Sequence, residues 1–168
     1  FDLLITHYNY VLIDCSSRMD QTTRLLSDLS NAVLLVTHTD VVSLWSAGRI
    51  HIFLEESGGH DRLRLVLNRY KKIPGFGEED VEKATNCKVL WKVPNNYQAI
   101  GPAIDKGSPV ALHGNEDASR SFIALANLLA EASSSPEGGL DLGYQQDKSG
   151  SKKKSAASLL ISPLRAGQ

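Results

Sequence analysis

Several short apolar runs in the sequence each end on a residue that could serve a bound ligand. In an open parallel sheet, ligands bind outside the carboxyl ends of the strands, so residues that follow such runs converge on one edge. A carboxylate there suits a magnesium ion held through water beside phosphates. An amide has the donors and the acceptor needed to recognise the edge of a purine. The residues at these positions are Asp14, Thr37, Asn68 and the segment Pro94-Asn95-Asn96.

The two sharpest candidates also have ordinary structural interpretations. Asp14 could cap a helix or form a buried pair with Arg18 instead of supporting a metal ion. Asn68 could simply end a strand, because asparagine tolerates the left-handed backbone conformation of turns. Spacing alone leaves both alternatives open.

Other chemistries are not supported by the spacing of reactive residues. A thiol phosphatase loop beginning at Cys15 needs an arginine six positions later, where the chain has Gln21. Ser16 and Ser17 lack the flanking glycines of a nucleophile elbow. The five histidines show no metal-ligand spacing, and the phosphate-binding pattern GxxxxGK[ST] is absent from the sequence.

The elements that would position these residues alternate between strand and helix. Short apolar runs predict strands, and longer periodic segments predict helices. This alternation indicates an α/β fold with a mostly parallel sheet, helices on both faces and right-handed crossovers. We expect strands at Tyr10–Asp14, Ala32–Val36, Leu63–Leu67 and Lys88–Val93. We expect helices at residues 1–7, through Leu25 to Leu29, at Val41–Glu55, at Glu78–Thr85, over part of Asn96–Lys106 with a break at Gly101-Pro102, and from Asp117 onward.

The composition changes at Ser133, which divides the chain into a folded part and a tail. We expect residues 1–132 to fold and the Ser-, Gly- and Lys-rich residues 133–168 to be disordered, because they offer little apolar surface to bury. Lys152–Lys154 followed by Leu159–Ile161 could form a basic amphipathic turn at a membrane surface. A solvated tail is the favoured interpretation, since Pro163 stops any helix early.

Bulk composition excludes several classes of function. The formal net charge of −1 gives no reason to expect a nucleic-acid partner. No apolar run approaches the length of a membrane span, and the two cysteines form no CxxC pair. A reducing cytoplasm with two free thiols is therefore the expected setting. The chain begins with Phe1, which suggests a fragment or a processed product.

The order of the motifs resembles the MinD/ParA group of deviant Walker P-loop ATPases. The segments that carry the likeness span about residues 3–130. Within that group the sequence is most similar to the CpaE/TadZ proteins of Tad (Flp) pilus assembly. The matching motifs are Tyr8-Asn-Tyr-Val-Leu-Ile-Asp14, Val36-Thr37 with Asp40 and Ser43-Leu44, Leu67-Asn68-Arg69-Tyr70, and Pro94-Asn95-Asn96-Tyr97 continued through Gly107 and Pro109.

This resemblance implies a function for each side of a nucleotide site. Asp14 matches the aspartate that supports Mg²⁺, and Asn68, with Arg69 beside it, matches the asparagine next to the adenine. Pro94, Asn95 and Asn96 match the loop that closes over the base. ATP binding in this family promotes a homodimer that localises other machinery, and in the CpaE/TadZ branch that machinery is a pilus secretion apparatus near the cell pole. The resemblance therefore implies a cytoplasmic protein in a polar or membrane-peripheral position.

Departures from the family pattern limit what the chain can do alone. It has only the C-terminal half of such a domain, without the Walker A loop, so we expect neither tight ATP binding nor hydrolysis without the N-terminal half. Cys15-Ser16-Ser17-Arg18 replaces a loop that senses the γ-phosphate, so a non-catalytic scaffold of the same fold is one alternative. A response-regulator receiver phosphorylated on Asp14 is the other.

Overall fold

The computed structural model describes residues 1–56, 62–112 and 117–132. These ranges contain a three-stranded sheet and six α-helices. The strands are β1 (Val33–Thr37), β2 (Leu63–Tyr70) and β3 (Val89–Pro94). The helices are α1 (Asp2–His7), α2 (Gln21–Leu29), α3 (Val41–Glu55), α4 (Glu78–Thr85), α5 (Tyr97–Asp105) and α6 (Asp117–Ala132), with a 3₁₀ turn at Val110–Leu112.

The sheet is parallel throughout its described part, with the strand order β1-β2-β3. Helix α3 connects β1 to β2, and α4 connects β2 to β3, so each crossover is a strand–helix–strand unit. Parallel neighbours need such crossovers, because a tight hairpin can join only antiparallel strands. The expected α/β class with a parallel sheet is therefore confirmed.

The two faces of the sheet are covered by different helices. Leu63, Leu65 and Leu67 point to one face, where they pack with residues of α3 and α4 in the main buried cluster. Val66 is buried on the opposite face. Pairing with β3 skips one residue between Leu65 and Val66, and this bulge turns Trp91 to the Val66 face. There the Trp91 indole N–H donates to the Ser121 hydroxyl of α6 at 2.9 Å.

Helices α3 and α4 approach closely at a glycine. A Cβ atom at Gly48 of α3 would lie 3.1 Å from the Ala84 carbonyl oxygen and 3.6 Å from the Thr85 Cα atom. Next to this contact, the buried Thr85 hydroxyl donates to the Val81 carbonyl at 2.8 Å. The absence of a side chain at position 48 thus lets the two helices cover β2 together.

The bounds of α3 and α4 match those predicted from the sequence, whereas the predictions for the end of β2, for α5 and for one further strand were wrong. Helices α3 and α4 begin and end where their patterns predict. Strand β2 continues beyond Leu67 to Tyr70, because the chain resumes pairing with β3 at Tyr70. Helix α5 is not interrupted at Gly101-Pro102 and ends at Asp105, with Lys106 as the C-cap. The left-handed Gly107 follows, and its N–H donates to the Ile104 carbonyl.

The third correction concerns Tyr10–Asp14, which was expected to be a strand and has no regular secondary structure. Among the described strands, β1 pairs with β2 on one side only, and the segment does not pair with its other edge. Leu12 is accordingly about half exposed. An apolar run forms a strand only when a partner strand accepts its backbone hydrogen bonds.

The division of the chain into a folded part, residues 1–132, and a disordered tail, residues 133–168, stays a prediction. Helix α6 ends at Ala132, and residues 133–168, with the basic and apolar tail motifs, lie outside the described residues. No helix within the described ranges combines the length and the apolar character needed to cross a membrane.

Candidate functional site

The carboxyl edge of the sheet brings together most of the residues that the sequence singles out. Thr37 ends β1 and pairs with Leu67, which directly precedes Asn68 on β2. Tyr70 of β2 pairs with Pro94, the last residue of β3. Thr37, Asn68 and Pro94 therefore lie along one edge, as expected for the ligand-binding edge of a parallel sheet.

Asn68 and Arg69 form an irregular end to β2. Regular pairing with β3 is interrupted between Leu67 and Tyr70, and Arg69 has a positive φ of 51°. The Asn68 side-chain oxygen accepts a hydrogen bond from the Arg69 backbone N–H at 2.9 Å. This bond fixes the Asn68 carboxamide and leaves its NH₂ group as a donor. A non-glycine residue in left-handed backbone is uncommon and concentrates at functional sites.

The segment after β3 contributes backbone and a helix cap. The Asn95 backbone N–H donates to the Tyr70 carbonyl at 3.2 Å, which ties this segment to the end of β2. Asn96 is the N-cap of α5, and its side-chain oxygen accepts from the Ala99 N–H at 3.1 Å. Asn96 thus has a structural role, while Asn95 is exposed beside the irregular end of β2.

Asp14 is not brought to this edge by any strand pairing. It lies in the irregular segment before α2, and its side chain is exposed. Neither structural alternative holds for it among the described residues: the N-cap of α2 is Asp20, and no ion pair joins Asp14 to Arg18.

The two halves of the expected nucleotide site therefore differ in how well they fit their ligands. The base side offers an oriented carboxamide, an exposed arginine backbone in a strained conformation, and a neighbouring loop. The metal side offers the single carboxylate of Asp14, and no group of three or more potential ligands occurs in the described part of the chain. Asp14 does not form a magnesium site by itself, because Mg²⁺ takes more oxygen ligands than one carboxylate supplies.

One motif of the family resemblance has a purely structural explanation. Asp40 is the N-cap of α3 and accepts from the Ser43 N–H at 2.9 Å and the Ser43 hydroxyl at 2.6 Å. These hydrogen bonds from Ser43 hold the pKa of the Asp40 carboxyl below its usual value. The spacing of Asp and Ser in this motif is therefore accounted for by helix capping.

Residues at the same edge that the sequence did not single out are Lys92 of β3 and Glu78 of α4. They form an ion pair beside the Tyr70 ring. Sequence reasoning missed them because their positions lie within a strand and a helix first turn, where charged residues usually face solvent. Lys92 lies near the end of β2 because β3 pairs with β2 in a register that places Lys92 opposite Leu67.

The described residues define an α/β fold with a parallel sheet and a candidate ligand-binding site at its carboxyl edge. A ParA family ATPase from Chlorobium tepidum shares the fold, with a TM-score of 0.67 and 18% sequence identity. That match covers 73% of this chain and 52% of the ATPase. No protein-family model matches the chain.

Two proteins with similar sequences extend this likeness beyond the fold. The septum site-determining protein MinD of Thermotoga maritima is 27% identical over 129 residues, which cover 73% of this chain and 47% of that protein. An uncharacterized ATP-binding protein of Methanocaldococcus jannaschii is 27% identical over 124 residues, with the same coverage of 73% and 47%. The chain thus spans about half the length of the curated relatives it matches. It is a homologue, at low identity, of MinD/ParA-family P-loop ATPases.

Proposed function

We propose that this chain supplies the base-binding half of an adenine-nucleotide site in a MinD/ParA-like ATPase. The observation that carries the proposal is the junction of β2 with the segment after β3. There Asn68 is oriented by the Arg69 N–H, and the Asn95 N–H is tied to the Tyr70 carbonyl. The match to a protein described as ATP-binding supports ATP as the ligand.

The roles on the base side follow from the chemistry of each group. The Asn68 carboxamide would read the adenine edge with its NH₂ donor and its remaining acceptor capacity. Arg69 would lie against the base, and Pro94, Asn95 and Asn96 would close over it. Asp14 would support the magnesium ion on the phosphate side. Groups that bind the triphosphate itself would come from the remainder of the full-length protein.

Replacing Asn68 by aspartate tests the base assignment. Aspartate keeps an oxygen to accept from the Arg69 N–H but removes the NH₂ donor, so it favours the N–H donors of guanine over the adenine edge. We expect the ATP-over-GTP preference of the full-length protein to fall by about tenfold or more, because a buried polar mismatch discriminates strongly. Isothermal titration calorimetry with both nucleotides measures this change.

The matched control is Asn31→Asp, an exposed asparagine that precedes β1 at the opposite end of the sheet. It should leave both affinities unchanged. If the full-length protein binds ATP and Asn68→Asp keeps the original preference, the base assignment is wrong. If the wild-type protein binds no ATP at all, the proposed function itself is wrong.

We further propose that ATP binding drives homodimerisation of the full-length protein, and that the dimer serves assembly of a Tad-type pilus from a polar or membrane-peripheral position in the cytoplasm. The support is the order of the sequence motifs that resemble the CpaE/TadZ proteins. A scaffold without hydrolysis would still dimerise, so dimerisation and turnover are separate questions.

Light scattering of the full-length protein should show a dimer with Mg²⁺-ATP and a monomer with ADP. Asp14→Asn should weaken the ATP-dependent dimer several-fold, because the Mg²⁺-bound triphosphate loses a supporting charge. Asp28→Asn, at an exposed position on α2, is the matched control. An oligomeric state that does not respond to the nucleotide would contradict the dimer proposal, and piliation unchanged by deletion of the gene would contradict the pilus role.

A further inference from the structure

Three elements meet around the side chain of Lys92 at the carboxyl edge of the sheet. Lys92 lies on β3, and its ammonium group forms an ion pair with Glu78 in the first turn of α4. The same ammonium group lies 5.3 Å from the centroid of the Tyr70 ring at the end of β2. The Lys92 side chain is 33% exposed and the Glu78 side chain 21% exposed, so water screens this cluster less than an ordinary surface pair.

Tyr70 is the residue through which this cluster reaches the candidate base site. It directly follows Arg69, whose φ is 51°, and its carbonyl accepts the hydrogen bond from the Asn95 N–H. It also restores the pairing of β2 with β3, opposite Pro94, after the irregular stretch. Because regular pairing is lost between Leu67 and Tyr70, the positions of Asn68 and Arg69 depend on where Tyr70 is held.

We propose that Lys92 is a positioning residue for the base-binding junction. Its ammonium group holds the Tyr70 ring, and Glu78 holds the ammonium group in place. Tyr70 in turn fixes Arg69 in its strained conformation. Through its carbonyl it also holds the Asn95 N–H beside the end of β2. This inference rests on the proposed function, since it concerns the same junction, and it assigns the stabilisation of that junction to a cluster outside it.

A neutral substitution separates this role from general stability. Lys92→Met keeps an unbranched side chain as far as the ε position but removes the ammonium group that contacts both Glu78 and the Tyr70 ring. In the full-length protein we expect the Kd for ATP to rise about fivefold, the size of effect typical of a partly buried charge cluster. The Kd for inorganic tripolyphosphate should not change, because the proposed role of the cluster concerns only the base-binding junction. Lys92→Arg should restore the ATP affinity, since it keeps the cation over the ring.

The matched control is Lys88→Met, which breaks a second lysine–glutamate pair between β3 and α4. Lys88 lies just before β3 and pairs with Glu82 at 2.8 Å, at the other end of the strand. The Lys88 side chain is 73% exposed, and no aromatic ring accompanies its ammonium group among the described residues. The affinities of the control for ATP and tripolyphosphate should match those of the wild-type protein.

Amide hydrogen exchange measures the coupling without any nucleotide. The Asn95 N–H, bonded to the Tyr70 carbonyl, should exchange several-fold faster in Lys92→Met and at the wild-type rate in Lys88→Met. An unchanged Asn95 rate, or equal losses of ATP and tripolyphosphate affinity in Lys92→Met, would overturn the positioning role. A wild-type protein that binds no ATP would overturn the proposed function, and the Asn95 exchange would then still decide whether Lys92 holds the junction.

Discussion

Leu67→Ala is expected to lower the free energy of unfolding of this chain by about 3 kcal/mol, within the range measured for leucine truncations in well-packed cores. Leu67 is fully buried on the central strand, and it belongs to the cluster that joins β2 to α3 and α4. Both neighbouring strands lie beside it, so the surrounding structure has little freedom to fill the space left by the removed atoms. Urea unfolding followed by circular dichroism gives the difference between the two chains.

Val36→Ala is the control for Leu67→Ala, because it truncates an exposed side chain instead of a buried one. Val36 lies on the neighbouring strand, one residue from the partner of Leu67, yet it is 60% exposed. Its truncation should change the free energy of unfolding by less than about 0.5 kcal/mol. If both substitutions destabilise the chain equally, the face of β1 that carries Val36 is covered in solution and the burial described above is incomplete. If Leu67→Ala is neutral, β2 is not the centre of the core.

The parts of the fold that could be predicted from the sequence are those whose signals are local. Helices α3 and α4 are bounded by chemistry within a few residues of their ends. Asp40 caps the first, and the Asp80 carboxylate accepts from the Gly77 N–H at the start of the second. The apolar run of β2 lies between these two helices, and such a run is typical of a buried parallel strand. The alternation of short apolar runs with longer periodic segments therefore predicted the α/β class correctly.

The segment Tyr10–Asp14 shows where local signals fail. Its apolar residues are as suitable for a strand as those of β1, but a strand also needs a neighbour. Such a neighbour is a non-local feature that composition does not reveal. Among the described residues, β1 offers an edge that the segment does not use. The exposed Leu12 is a consequence.

The position of the candidate site could be predicted from the sequence, but the side-chain contacts around it could not. Asn68 and Pro94 could be placed because every parallel strand presents its carboxyl end to one edge. The contact of Lys92 with Glu78 and Tyr70 could not, since it depends on the interrupted register between β2 and β3. The family resemblance places Asn96 in the loop over the base, and the structure adds that its side chain caps α5. Asp40, quoted only as part of a matching motif, caps α3. To predict which side chains meet at the edge of a sheet, one therefore needs the register of its strands as well as the sequence.

The buried thiol of Cys87 should make the stability of the fold depend on alkaline pH. Cys87 is 4% exposed between α4 and β3. Burial is the main cause that raises its pKa from 9.0 to about 11, with the Arg64 charge opposing the shift and the Glu82 and Glu55 charges adding to it. Between these two values the unfolded chain loses the thiol proton while the folded chain keeps it. Stability is therefore fully present below pH 9 and falls as the pH rises toward 11, by about 3 kcal/mol in total.

Urea unfolding at pH 8 and pH 10.5 under reducing conditions measures this dependence. Lysine and tyrosine side chains also titrate there, so the comparison is between the pH slopes of variants. Cys87→Ala should be less stable than wild type at pH 8 because of the lost volume, but its loss on going to pH 10.5 should be smaller by about 2 kcal/mol. Cys15→Ala, at an exposed thiol, should keep nearly the wild-type slope. Equal slopes for wild type and Cys87→Ala would mean that Cys87 ionises as freely in the folded chain as in the unfolded one, and that α4 does not seal it from water.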